Sequence, residues 1–262
     1  MTRATLSATL EAQIVSGRLA AGMKLPSERQ LAERYGVSRP IVREALRSLV
    51  ERDLVEIKPG RGSYVRDGRP AAAAGRLDAL YRRSQATPRD LVEARTMLEC
   101  TAAELAAQRA TPEDEAAIET ALFGFDRAGS IIERARFDMT FHLAVARASH
   151  NPVIETMFGS ITALTVELML RSLSDPDVTR LSVPYHRQIF EGIRDREPVR
   201  ARTAMARHLA VATSLYGDDY DRSIESVARR ELEQLLAPGV TLDDLLAAVG
   251  AEGRDDDRTN CR

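Results

Sequence analysis

Residues 25–65 read LPSERQLAERYGVSRPIVREALRSLVERDLVEIKPGRGSYV, and this stretch decides how the first part of the chain folds. Ser27-Glu28-Arg29-Gln30 has the form of a capping box, in which a hydroxyl accepts from the third helical N–H and the Gln side chain reaches back. The helix it opens turns Leu31 and Ala32 inward and stops at Tyr35-Gly36. Ser38 is placed to cap a second helix whose first turn holds Pro40, where a missing N–H matters little. That helix is expected to run to about Arg52, with Ile41, Val42, Ala45, Leu46 and Leu49 as its buried stripe. Strands over 54–58 and 63–65 then flank Pro59-Gly60-Arg61-Gly62, a β-hairpin with a basic tip. Working outward, residues 6–16 show helical apolar spacing ending at Gly17, and residues 23–26 form a short extended stretch.

Two short helices joined by a tight Gly-containing turn and followed by a hairpin describe a winged helix-turn-helix. Such a module leads into the DNA major groove with the first residues of its second helix. Here these are Ser38, Arg39, Pro40 and Arg43, and the two arginines, four apart, share one face. Arg29 is placed for a phosphate or groove contact, and Arg61 beside Gly60 for the minor groove or backbone. Charge supports this reading: residues 1–66 hold 12 Lys and Arg against 7 Asp and Glu, whereas the remainder holds 25 against 32. Taken singly, each arginine reads more readily as part of a solvated helix face.

As an ordered set the residues say more. Gly17, Gly22, Leu25-Pro26-Ser27-Glu28-Arg29, Leu31-Ala32, Val37-Ser38-Arg39, Val42-Arg43-Glu44-Ala45-Leu46, Leu49 and the wing Gly60-x-Gly62-x-x-Val65 resemble the GntR superfamily of transcription regulators almost from end to end. One departure is Asp53, where the family usually has Gly. Asp tolerates left-handed backbone better than most residues, so the turn is expected to survive.

The rest of the chain reads as helices. Residues 67–86 are expected to be a linker, with a helix open from about Leu77. Cap-Pro-acid starts at Thr87-Pro88-Arg89-Asp90 and Thr111-Pro112-Glu113-Asp114 head a series expected at 88–109, 112–127, 130–149, 152–173, 184–195, 198–216 and 222–236. Residues 237–262 form an extension with one further short helix near 241–250, its last dozen residues expected to be disordered. The fold class is thus mostly α: a winged helix-turn-helix over 1–66, then an all-α bundle over 87–236. Two cysteines, Cys100 and Cys261, make no disulfide framework, and no apolar run reaches the ~20 residues of a membrane helix. A cytoplasmic protein with no membrane partner is expected.

The second half has four histidines. Asp138 and His142 stand at i and i+4 beside an apolar stripe, ~6 Å apart along a helix axis. Burying them is unfavourable unless each satisfies the other or a metal satisfies both. His186 and His208 lie on later helices; each alone reads more readily as a structural residue than as a ligand. An all-helical partner of this length resembles the FadR-type branch and its FCD effector domain. D-x3-H followed by two histidines about 22 apart resembles the metal-binding pattern of that domain. The resemblance implies a divalent ion, Zn²⁺, Ni²⁺ or Mn²⁺, held by Asp138, His142, His186 and His208, with positions open to a small carboxylate. Arg95 matches a cavity-lining arginine that would pair with such an acid, and Arg171 is a second candidate. From the residues alone, Arg95 equally forms an ion pair with Glu99. His150 matches no ligand position, and Asn151 is placed to cap the next helix. The implied function is a homodimeric repressor on a palindromic operator. A metal-only sensor and a metal-dependent enzyme using the same four residues stay open as alternatives.

Overall fold

A computed structural model describes residues 1–66 and 70–228. They divide into two compact units, the first ending at Ala73 and the second beginning at Ala74.

In the first unit, α1 (Arg3–Val15), α2 (Glu28–Tyr35) and α3 (Arg39–Glu51) precede the antiparallel hairpin β1 (Val55–Lys58) and β2 (Gly62–Val65). Val55 pairs with Val65 and Lys58 with Gly62, so the register fixes Pro59-Gly60-Arg61 at the tip. The extended stretch before α2 adds a third edge: Leu25 N–H donates to Ser63 and Val65 N–H to Met23. Leu6, Leu10, Leu31, Val42, Leu46 and Leu49 bury the inner faces of all three helices against Val55 and Val65. α1 begins three residues earlier than its apolar spacing predicts, because the Thr2 hydroxyl accepts from Thr5 N–H and extends the helix backwards. α2 ends where Gly36 adopts φ 62° and its N–H returns to Ala32. A Cβ there meets no neighbour, only the left-handed backbone itself. Gly36→Ala is therefore expected to destabilise this unit by about 1 kcal/mol in urea unfolding, with the fold intact.

The second unit opens within α4 (Pro70–Arg83). α5 (Pro88–Arg109), α6 (Pro112–Arg127), α7 (Ile131–Ala148), α8 (Pro152–Ser160), α9 (Thr162–Leu173), α10 (Pro176–Arg194) and α11 (Pro198–Leu215) follow. Capping boxes at Thr87/Asp90, Thr111/Asp114 and Ser130/Glu133 start α5, α6 and α7 where the sequence places them. α5 packs against α7, α10 and α11. Ala102, Ala103, Ala106 and Ala107 line this seam, and their small side chains let the helices come close.

Four expectations need correction. Residues 70–83, read mostly as linker, are helical, an outcome the Ala run and the absence of interior Pro permit. The segment 152–173 is two helices bent by 61°, not one. Gly159 and Ser160 sit at the break, and the Ser160 hydroxyl donates to Met157 O, competing with the helical ladder. α10 starts at Pro176 rather than near 184, because Asp175 accepts from Asp177 N–H and Pro176 occupies the first turn. Pro184, read as a start, lies inside the helix. Lastly, Ser38 occupies the cap position of α3 but its hydroxyl makes no capping bond. Most of the helix expected at 222–236, the one near 241–250 and the C-terminal tail lie outside the described residues.

Candidate functional site

The wing-bearing unit presents its arginines together. Arg39 and Arg43 project from the first two turns of α3 and are exposed. Both converge on Glu28 of α2: Arg43 donates from Nε and Nη2 to its two carboxylate oxygens at 3.0 and 2.8 Å, and Arg39 Nη2 lies at 3.9 Å. The hydrogen bond and charge of Arg43 hold the Glu28 carboxyl below its usual range. Glu28 thus does more than its place in the Ser27–Gln30 cap suggests. It pre-orients the two residues that lead α3, and a partner 15 positions away leaves no periodic trace. Arg29, one residue on, pairs with Glu33 at 3.2 Å in full solvent. At the wing, Gly60 and Gly62 take φ 69° and 112°, which turns the chain and leaves Arg61 exposed at the tip. Asp53 adopts φ 61° as its departure from Gly requires, and its carboxylate meets Arg66 at 3.1 Å.

The second unit gathers the four residues that the sequence sets apart. Asp138 and His142 come from α7, His186 from α10 and His208 from α11, and all are buried. The three Nε2 atoms face one another: His208 lies 3.2 Å from His142 and 3.3 Å from His186. Asp138 Oδ1 lies 3.0 Å from His186 Nε2 and 3.9 Å from His142 Nε2. Two ligands at about 2.1 Å from a common ion stand roughly 3.0 Å apart in octahedral and 3.4 Å apart in tetrahedral geometry. The His208–His142, His208–His186 and Asp138–His186 separations match that range, whereas Asp138–His142 at 3.9 Å lies outside it. A further sign is directional. Asp138 Oδ1 is close to His186 yet makes no hydrogen bond among the described residues, as expected when both atoms aim at a third point. The three histidines can hold a metal ion.

Two of the three outer nitrogens meet a partner. His142 Nδ1 contacts Glu99 of α5, and His208 Nδ1 lies 3.0 Å from Ser182 Oγ. His186 is wedged between the Phe125 and Phe141 rings. Burial, reinforced by the neighbouring imidazoles, pushes His208 well below its ordinary value, keeping it in the neutral form that ligates metal. Burial alone raises the Asp138 carboxyl, but the opposing charges of His186, His142 and Arg95 outweigh it and hold the group ionised.

A cavity of ≈ 30 Å³ opens beside these ligands, lined by Asp138, His186 and His208 together with Arg95, Met169, Ser172 and Ser182. That is room for about two waters, enclosed by three ligands and a cation. Arg95 is buried and donates from Nε to Glu99 at 2.6 Å, so the ion pair open to sequence reading exists, buried rather than exposed. Its Nη2 has no hydrogen-bond partner among the described residues. Arg171 lies elsewhere, over the Tyr216 ring and 3.5 Å from Asp219. On α9 the cavity face carries Met169, Ser172 and Leu173. Arg171, one residue from Ser172, is turned about 100° away. His150 stays outside the cluster and pairs with Asp114 at 2.7 Å, while Asn151 accepts from Val153 and Ile154 N–H and caps α8.

The comparisons with known proteins follow this division. Residues 2–65 match the family described as bacterial regulatory proteins, gntR family, and residues 90–211 match the FCD domain. The HTH-type transcriptional regulator LutR of Bacillus subtilis (strain 168) is 30% identical over 220 residues, covering 81% of this chain and 100% of that protein. This chain belongs to the GntR family, in its FadR-like branch with an FCD domain. The Glc operon transcriptional activator of Escherichia coli (strain K12) is 32% identical over 211 residues, 77% of this chain and 83% of that one. The galactonate operon transcriptional repressor of the same strain is 32% identical over 216 residues, 78% and 92% of the two chains. Among solved structures, Streptococcus agalactiae GntR superposes with a TM-score of 0.67 at 28% identity, covering 80% of this chain and 99% of that one. The relatives are transcription regulators and not enzymes, so the GntR/FCD chain is a regulator whose helical domain binds effectors. The enzyme alternative is set aside on that ground.

Proposed function

We propose that this GntR/FCD regulator is a repressor whose hold on its operator is weakened by a small organic acid bound beside a divalent metal. One observation carries the reading. Asp138, His142, His186 and His208 converge at ligand-to-ligand spacing, and Arg95 places an unpartnered guanidinium nitrogen on the same cavity. The ion, Zn²⁺, Ni²⁺ or Mn²⁺, would supply a Lewis-acid site for one carboxylate oxygen. Arg95 would receive the other through a charge-assisted hydrogen bond. The galactonate operon repressor is a relative, but a cavity with room for about two waters favours an acid much smaller than a sugar acid.

On the DNA side, Arg39 and Arg43 would read base edges, Ser27, Arg29, Ser38 and Pro40 would set the docking of α2 and α3, and Gly60-Arg61 would bring the wing to the backbone or minor groove. Two copies would read a palindrome as a homodimer, in the cytoplasm where the chromosome lies. Repression asks least of the molecule, since an occupied operator blocks transcription without a polymerase contact.

The test is melting temperature with Zn²⁺, Ni²⁺ or Mn²⁺ loaded and acetate, L-lactate and D-galactonate added in turn. A rise with at least one acid, absent from the metal-stripped protein and from Arg95→Met, is the expected outcome. A metal-loaded protein indifferent to every acid sinks the reading and leaves the ion itself as the signal.

A further inference from the structure

Glu99 projects from α5 into the bundle interior, 2% exposed, and its two oxygens serve two different residues. Oε1 accepts from Arg95 Nε at 2.6 Å, and Oε2 contacts His142 Nδ1. Arg95 is the cation on the cavity and His142 a candidate ligand, so a single carboxylate joins both halves of the site. We propose that Glu99 is the positioning residue that makes the metal site and the acid site one unit. This rests on the metal-assisted reading above.

The physical argument concerns direction and basicity. A carboxylate in contact with Nδ1 of an imidazole, as Glu99 Oε2 is with His142 Nδ1, favours the proton on that nitrogen and leaves the lone pair of Nε2 on the far side, which here is the cluster of ligands. The anionic acceptor also makes Nε2 a stronger donor to a cation. With His142 1% exposed, no solvent replaces that acceptor if it is lost. On the other oxygen, Arg95 is tied through Nε, so its head is fixed while Nη2 stays available to a ligand. Glu99 has a simpler candidate role as counter-ion to a buried arginine. The two roles separate when Arg95 is neutral, because a counter-ion then has nothing to neutralise whereas His142 still needs its acceptor.

The experiment measures Zn²⁺ affinity of the full-length chain by competition with a chromophoric chelator. It compares wild type, His142→Ala, Arg95→Met, and Arg95→Met combined with Glu99→Gln. The paired substitution removes both members of the Arg95–Glu99 ion pair together, and circular dichroism of both variants checks that the helices persist. The double variant is expected to bind Zn²⁺ about 10- to 100-fold more weakly than Arg95→Met. Nitrogen NMR of the metal-free proteins should show His142 protonated on Nδ1 in Arg95→Met and shifted from that tautomer in the double variant. Equal Zn²⁺ affinity in those two proteins, with His142→Ala clearly weaker, overturns the role of Glu99 and leaves the metal site standing. Wild-type affinity in His142→Ala overturns the metal reading and this inference with it.

Discussion

His142→Ala should erase the thermal stabilisation that Zn²⁺, Ni²⁺ or Mn²⁺ gives the helical unit. At metal a hundredfold above its dissociation constant, binding to the native state alone contributes about 2.7 kcal/mol. For a unit of this size that is a rise of roughly 5–10 °C in the melting transition. His142 is the ligand to remove because it is the most buried of the four, with Nε2 3.2 Å from His208 Nε2. Alanine leaves two imidazoles and a carboxylate, and it also removes the group that Glu99 orients. Circular dichroism of the metal-free variant checks that the helices persist. Were the metal-induced shift to survive intact, the ion would have to sit elsewhere.

Arg43→Ala should lower affinity for the specific operator by about 5- to 150-fold, the equivalent of 1–3 kcal/mol for a bidentate base contact. Affinity for unrelated DNA should fall far less. In the free protein the Arg43 fork is engaged by Glu28, but Arg43 is exposed and Glu28 only half-buried, so the pair contributes little to stability. Its value is orientation, since it holds Arg43 and Arg39 on one side of α3 before DNA arrives. In the proposed docking, Glu28 would also set a negative charge where phosphates approach. Glu28→Gln should therefore raise affinity for DNA of any sequence while blunting discrimination, as read by fluorescence anisotropy against operator and scrambled duplexes. Uniform weakening on both duplexes by Arg43→Ala would mean that the side chain meets phosphate rather than a base edge.

What the sequence disclosed follows from the range of the interactions involved. The left-handed turn at Asp53 was read through the family resemblance, whereas local rules were enough for the capping boxes at Ser27, Thr87 and Thr111 and for the hairpin tip at Gly60, because each is settled within a few residues. The Asp138–His142 pair was visible for the same reason. Its meeting with His186 and His208 was legible through family resemblance and not through spacing, since three separate helices supply the ligands. Glu99 and Glu28 were hidden as site residues because their decisive partners lie across the bundle or on another helix. Misplaced elements have equally local causes. Pro184 masked a helix that begins at Pro176, and a Gly-Ser pair broke one that hydrophobicity alone would have continued.

The most direct test joins the two halves of the account. The metal-loaded protein would select its own operator from a random duplex pool, and anisotropy would then measure affinity for that duplex with and without the acid that raises the melting temperature. The account predicts that this acid weakens operator binding by about 5- to 150-fold, the range of a typical coupling free energy, and that Arg95→Met and His142→Ala lose the response. Operator affinity unchanged by an acid that demonstrably binds the cavity would contradict it.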